Sequence, residues 1–185
     1  MNEIDFLGEN AFRIIELLLE KKQYLRELAE RTGLAPSSVH KIISKLVLKK
    51  IAFFEKQKNR KVFSLNYDSA LTTSAIKILF VNKIISAKAF KKLVALKPIG
   101  IYLFGTAASG KITSNSDIDL AINFSKKPDS LLVSNIKREL SNELRKEIQL
   151  IILTKDKIVS MKKENAELLS QIKNKSIVLM GEAIE

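Results

Sequence analysis

Asp117 and Asp119 stand one residue apart in the stretch FGTAASGKITSNSDIDL, residues 104–120. Side chains alternate faces along a strand, so both carboxylates point one way while Ile118, Leu120 and Ile122 point to a core on the other. Carboxylates are costly among strand-forming residues, and two side by side repel each other. A divalent cation such as Mg²⁺ removes that repulsion and takes carboxylates as hard oxygen ligands. Three of the six glycines, Gly100, Gly105 and Gly110, fall in the segment just upstream. Gly105 lets backbone approach a phosphate closely. Thr106 adds a hydroxyl, and exposed N–H groups in such a turn form an anion-binding nest. An Asp-x-Asp alone is equally the signature of two solvated aspartates at a strand end. The Gly-Thr pair, separated from Asp117 by ten residues, tips the reading toward a metal–nucleotide site.

The segments that must position these residues begin at residue 99. IGIYLFG reads as a strand, SDIDLAINF as a second, LLVSNIKRELSNELRKE as a helix and EIQLIIL as a third strand. Residues 155–173 read as helical, and SIVLMGEAIE as a short edge strand or a loop. Residues 68–97 read as a long helix or a broken pair, with Asp68 as its N-cap. Upstream, ENAFRIIELLLEKK is a helix with Phe12, Ile15, Leu18 and Leu19 on its apolar face. QYLRELAERT is a shorter helix that Gly33 ends. Pro36 suits the first position of a third helix, where Val39, Ile42, Ile43 and Leu46 form the buried stripe. Ser38, Lys41, Ser44 and Lys45 then face outward. IAFFEKQ and KVFSLN read as two strands flanking the basic turn KNRK.

The chain has 185 residues, 46% hydrophobic and 28% charged, enough for a sizeable core and one or two domains. It has no cysteine, which excludes disulfides, zinc fingers and thiol catalysis, and one histidine, His40. No apolar stretch is long enough to span a bilayer, so no membrane partner is expected. The N-terminal MNEIDFLGEN lacks a basic region ahead of an apolar one, so it is not read as a secretory signal and the cytoplasm is the expected location. The net charge of +12 and pI near 9.8 favour polyanionic partners, although a lysine-rich proteome gives the same balance. Clustering separates the two: from Pro36 to Lys61 there are eight Lys or Arg and one acid, Glu55.

Three helices and a hairpin within residues 1–67 follow the order of a winged helix. ELAERTGLAPSSVHKIISKL resembles the helix-turn-helix of MarR-like and ArsR-like regulators. That resemblance implies a double-stranded DNA partner, with Ser37, Ser38, His40, Lys41, Ser44 and Lys45 of the recognition helix as the contacting set in the major groove and Lys58, Arg60 and Lys61 of the wing at phosphates or the minor groove. Winged helices also serve as dimerisation or docking modules, and a homodimer is expected by analogy alone.

FGTAASGKITSNSDIDLAI resembles the signature of minimal nucleotidyltransferases of the DNA polymerase beta superfamily. The resemblance covers about residues 85–181. It implies a small mixed sheet with helices on one face, a nucleoside triphosphate (ATP foremost) held at Gly105, Thr106, Ser109, Gly110 and Lys111, and Mg²⁺ held by Asp117 and Asp119. The implied chemistry is attack by a hydroxyl on the α-phosphorus with release of pyrophosphate. Active members of that superfamily carry a third carboxylate on a later strand, where this chain has Gln149. Glu147, two residues earlier, is the substitute candidate. Arginines that follow the glycine turn in many relatives are absent, and Lys111 is a point charge rather than a fork.

The expected fold is therefore α/β (α+β): a winged-helix domain at 1–67, a helical connector at 68–97 and a nucleotidyltransferase-like mixed sheet with flanking helices at 98–185. Two functions stay open. One is Mg²⁺-dependent transfer of a nucleoside monophosphate to a protein hydroxyl, in the manner of antitoxins that adenylylate a HEPN-type partner protein. The other is a DNA-binding transcriptional regulator whose transferase-like domain is catalytically degenerate and senses nucleotide or mediates assembly. Transfer to an RNA or DNA end is a third outcome.

Overall fold

A computed structural model describes residues 7–184. Most of the acidic N-terminal opening and the final residue of the tail lie outside them. The chain divides into two compact units, one running through Ile76 with Gly110–Ser114, the other made of Lys77–Ser109 and Asn115 onward.

In the first unit, helices α1 (Glu9–Glu20), α2 (Leu25–Thr32) and α3 (Pro36–Leu48) pack with strands β1 (Gln23–Tyr24), β2 (Ala52–Gln57) and β3 (Arg60–Leu65). The strands form an antiparallel sheet in the order β1-β3-β2. This is the winged helix anticipated from the element order. Three local details differ. Gln23 and Tyr24 are a short strand on β3 rather than the start of α2. The Tyr24 N–H donates to Glu27 Oε2 (2.8 Å), which sets the helix start at Leu25. The apolar face of α1 is rotated: Ala11, Ile14, Ile15 and Leu18 are buried, while Phe12 and Leu19 are partly covered.

Gly33, at φ +69°, ends α2 in the left-handed region that glycine enters without strain. Val39, Ile43 and Leu46 are buried and Ile42 is half-buried, so the stripe on α3 is as periodicity requires. The β2–β3 turn has Lys58 and Asn59 both at positive φ, which matches the twist of a two-residue hairpin. Asp68 is not the N-cap of the next helix, α4 (Ala70–Ser86). That position belongs to Ser69, whose carbonyl accepts from the Thr73 N–H (3.2 Å).

The second unit is built on a four-stranded sheet of order β6-β5-β4-β7 among the described residues: β4 (Gly100–Phe104), β5 (Ile118–Asn123), β6 (Ile148–Leu153) and β7 (Ile177–Gly181). The β5–β6 pair is parallel and the other pairs antiparallel, so the sheet is mixed. The tail is thus an edge strand. Helix α7 (Ser130–Leu144) begins at Asp129, whose side chain accepts from the Leu131 and Leu132 N–H groups, and lies against β6. Val133 of α7 faces Leu150 and Ile152.

On the opposite sheet face, Tyr102, Phe104, Ala121 and Leu153 share a core with Met161 of α8 (Lys155–Glu164) and with Leu169 and Ile172 of α9 (Ala166–Lys175). Helices therefore cover both faces, not one. The reason is visible in β5, where Ala121 and Ile122 are both fully buried although they point opposite ways. Helix α5 (Lys88–Ala95) packs on α7, and the Glu143 carboxylate of α7 accepts from the Lys88 and Ala89 N–H groups (2.8 and 2.9 Å). It stands in for the N-cap that Ala87 cannot supply. No single helix among the described residues is long and apolar enough to cross a membrane.

Candidate functional site

Strand β4 ends at Phe104, paired with Asp119 across the antiparallel ladder. The next residue, Gly105, takes φ +69° and opens a short helix, α6 (Gly105–Ser109), in place of the expected open turn. A Cβ at Gly105 would collide with the Asp119 carboxylate. Glycine is thus required twice, by its backbone angle and by close approach. Gly105 and Thr106 are exposed, while Ala107 and Ala108 anchor the helix in the core. The Ser109 hydroxyl donates to the Thr106 carbonyl (3.0 Å), so its proton is already engaged.

Asp117 and Asp119 are both half-buried, and Ile118 between them is fully buried. The Asp119 carboxyl is pushed above the usual aspartate range, first by burial and then by the charge of Asp117. The repulsion read from the sequence is therefore present in the fold. Asp117 is better served. Its Oδ2 accepts a hydrogen bond from Gln149 Nε2 (2.8 Å), and the parallel register sets Gln149 directly beside Asp119. Lys146 adds a cation nearby. Burial lowers its ammonium below the lysine norm, attraction to Asp117 acts the other way, and Lys83 lowers it further. The Lys146 Nζ donates to the Ser116 carbonyl (2.9 Å).

Glu147 lies just ahead of β6 with its side chain exposed, and its carbonyl accepts from the Ile118 N–H (2.9 Å). No group of three His, Cys, Asp or Glu able to hold a metal forms among the described residues. The structure brings together Gly105, Asp117, Asp119 and Gln149, with Thr106 and Ser109 on α6. Gly110 and Lys111 group with the first unit, where Gly110 at φ +73° abuts the Thr73 backbone so closely that any side chain would clash. The donor set at Asp117 and Asp119 fits a hard divalent ion: two carboxylates on one face, one of them poorly compensated, beside a glycine with no side chain to block approach.

Sequence reasoning did not single out Lys146. One lysine among 32 basic residues carries no local signal, and its proximity to Asp117 arises only when β6 pairs with β5.

In the first unit, Ser37, Ser38, His40, Lys41, Ser44 and Lys45 are all exposed on α3, and Lys58, Arg60 and Lys61 are exposed on the wing. Lys61 Nζ sits 4.2 Å over the Phe54 ring, which holds its stem along the hairpin. Between helix and wing lies a cavity of about 380 Å³ where Tyr24 and Arg26 join His40, Arg60, Lys61 and Phe63. Arg26 therefore adds a cation to the basic surface that the linear cluster from Pro36 to Lys61 leaves out.

The first unit is a winged helix-turn-helix, and the second has the fold and paired carboxylates of a nucleotidyltransferase. Residues 82–184 match the family model described as polymerase beta, nucleotidyltransferase, and the chain belongs to that family. Residues 9–49 match the IclR helix-turn-helix domain.

Among solved structures, the chain is similar to a toxin–antitoxin with AMP-PNP (25% identity, TM-score 0.42, covering 55% of this chain and 73% of that one). It is similar also to a mutant MntA–HpeT toxin–antitoxin (24%, TM-score 0.43, 55% and 73%). A third is a tri-AMPylated Shewanella oneidensis HEPN toxin with its MNT antitoxin (25%, TM-score 0.39, 57% and 73%). No curated protein matches the chain.

Proposed function

We propose that this protein transfers a nucleoside monophosphate from a nucleoside triphosphate, ATP foremost, to a hydroxyl of a partner protein, and that its winged helix binds double-stranded DNA. In this reading residues 1–67 bind DNA, 68–97 connect and 98–185 carry the transfer. The observation that carries it is the half-buried Asp117–Asp119 pair set against Gly105. A fold gains nothing from placing two repelling carboxylates there unless a cation joins them.

Asp117 and Asp119 would hold Mg²⁺, which when bound neutralises phosphate charge and polarises the α-phosphorus. Gly105 leaves room for phosphate against the backbone, and the exposed Thr106 hydroxyl offers it a donor. Gln149 holds Asp117 in place through its amide N–H, and Lys146 is anchored on the neighbouring Ser116 carbonyl. In the transfer the acceptor oxygen bonds the α-phosphorus, the bond to the bridging oxygen breaks, and pyrophosphate leaves with that electron pair. The hydroxyl proton passes to solvent.

The antitoxin-type reading, with a HEPN-type protein as acceptor, is supported by family membership together with a DNA-binding half suited to autoregulation. Labelled ATP, Mg²⁺ and the neighbouring gene's product test it: label is expected on the partner and lost with Asp117→Asn. A gel of RNA and DNA primers checks for transfer to nucleic acid instead.

Gln149 supports the second reading, a regulator whose transferase-like domain senses nucleotide. A neutral amide cannot act as a base or carry charge. Nucleotide binding without label transfer to any acceptor, together with a nucleotide-dependent change in DNA affinity, is the outcome that favours it.

A further inference from the structure

We infer that the transferase site holds a single divalent ion per chain, and that Gln149 is the positioning residue that excludes a second. The inference rests on the reading of Asp117 and Asp119 as metal ligands.

Two-metal transfer sites hold their ions about 3.5–4 Å apart. Repulsion between two dications at that distance is four times that of two unit charges, so bridging carboxylates must offset it. Among the described residues only Asp117 and Asp119 are available, because no third acidic or histidine ligand joins them. The Lys146 ammonium is anchored next to Asp117, on the Ser116 carbonyl (2.9 Å).

The remaining position next to the pair is filled by Gln149, in register with Asp119 on the adjoining parallel strand. Its amide N–H points at Asp117 Oδ2 (2.8 Å). That oxygen faces a hydrogen-bond donor instead of a free approach from the β6 side. A donor hydrogen carries only partial positive charge: it occupies one lone pair of that oxygen and leaves the carboxylate's negative charge in place. The two aspartates are thus unequal: one oxygen of Asp117 is committed to Gln149, whereas Asp119 lies against Gly105, which has no side chain to block approach.

The test counts ions rather than turnover. Full-length protein is saturated with an ATP analogue carrying a methylene between the α- and β-phosphorus, then titrated with Mn²⁺ while free Mn²⁺ is read by electron paramagnetic resonance. The wild type is expected to saturate at one ion per nucleotide-bound chain. Gln149→Asp, which trades the donor for a third carboxylate, is expected to double that count. Two ions on the wild type overturn the inference, whatever the variant does. One ion on both proteins, with the variant folded by circular dichroism, removes Gln149 from the explanation and overturns its role. Absence of any protein-bound ion overturns the metal-site reading itself, an outcome distinct from the other two.

Discussion

The two units place their charge in opposite ways. In the winged helix, every candidate contact, from Ser37 on α3 to Lys61 on the wing, is exposed, while Val39, Ile43 and Leu46 beneath are buried. The candidate contacts there sit on top of a finished fold. In the transferase unit, Asp117 and Asp119 lie half-buried at the start of β5, where the fold must tolerate their repulsion. Surface charges sum and are screened by salt, whereas a partly buried pair depends on local geometry and is screened far less. The first unit can therefore lose a lysine by degrees, and the second cannot lose an aspartate by degrees.

The largest expected effect separates activity from stability. Asp119→Asn should reduce nucleotidyl transfer by about 10²–10³ or more, the scale of one electrostatic group removed at a transition state. The same change should raise the melting temperature of metal-free protein, because it removes both the burial cost and the repulsion from Asp117. A fall in both would break the contrast between the units. Gly105→Ala comes next. Backbone strain at positive φ costs about 1–3 kcal/mol, and the collision with Asp119 adds to it; denaturant unfolding reads the sum.

A smaller effect lies in pH. A carboxyl whose folded value is raised binds its proton more tightly in the native state than in the unfolded one. Metal-free stability should therefore fall as pH rises from about 4, the ordinary aspartate value, through the raised value of Asp119, and stay low above it. Melting curves across that window check the sign. Mg²⁺ with nucleotide should recover stability above the window, and Asp119→Asn should flatten the profile.

On the other unit, replacing Lys58, Arg60 and Lys61 by Gln should leave stability within about 0.5 kcal/mol. For each phosphate that the wing no longer neutralises, the slope of log affinity against log salt should become shallower by about 0.9. DNA titrations at several salt concentrations measure it; an unchanged slope would remove the wing from the interface.

What the sequence made legible follows the range of the interactions. The exposed face of α3 and the shared face of the aspartates are read from periods of a few residues, and both are as expected. The start of α2 was not legible, because Gln23 and Tyr24 pair with Phe63 and Val62, some forty positions on. Helices on both sheet faces were not legible either. The run IQLIIL says that β6 is apolar, but only packing shows that Leu153 meets α8 and α9 while Leu150 and Ile152 meet α7. Gln149 marked a missing carboxylate in the sequence. Its bond to Asp117 needed the register.

Strand β7 has one further consequence. It hydrogen-bonds along β4, the strand whose end delivers Gly105 to Asp119, and it is made of residues 177–181. The sheet of the winged helix is finished once residue 65 has been synthesised. During translation the winged helix can form its sheet while the second sheet still presents a bare rim, open to pairing with the wrong chain. The Gly105–Asp119 contact gains its outer buttress only when residue 181 has been made, so chains cut short between residues 114 and 181 would keep the winged helix and lack a finished second sheet.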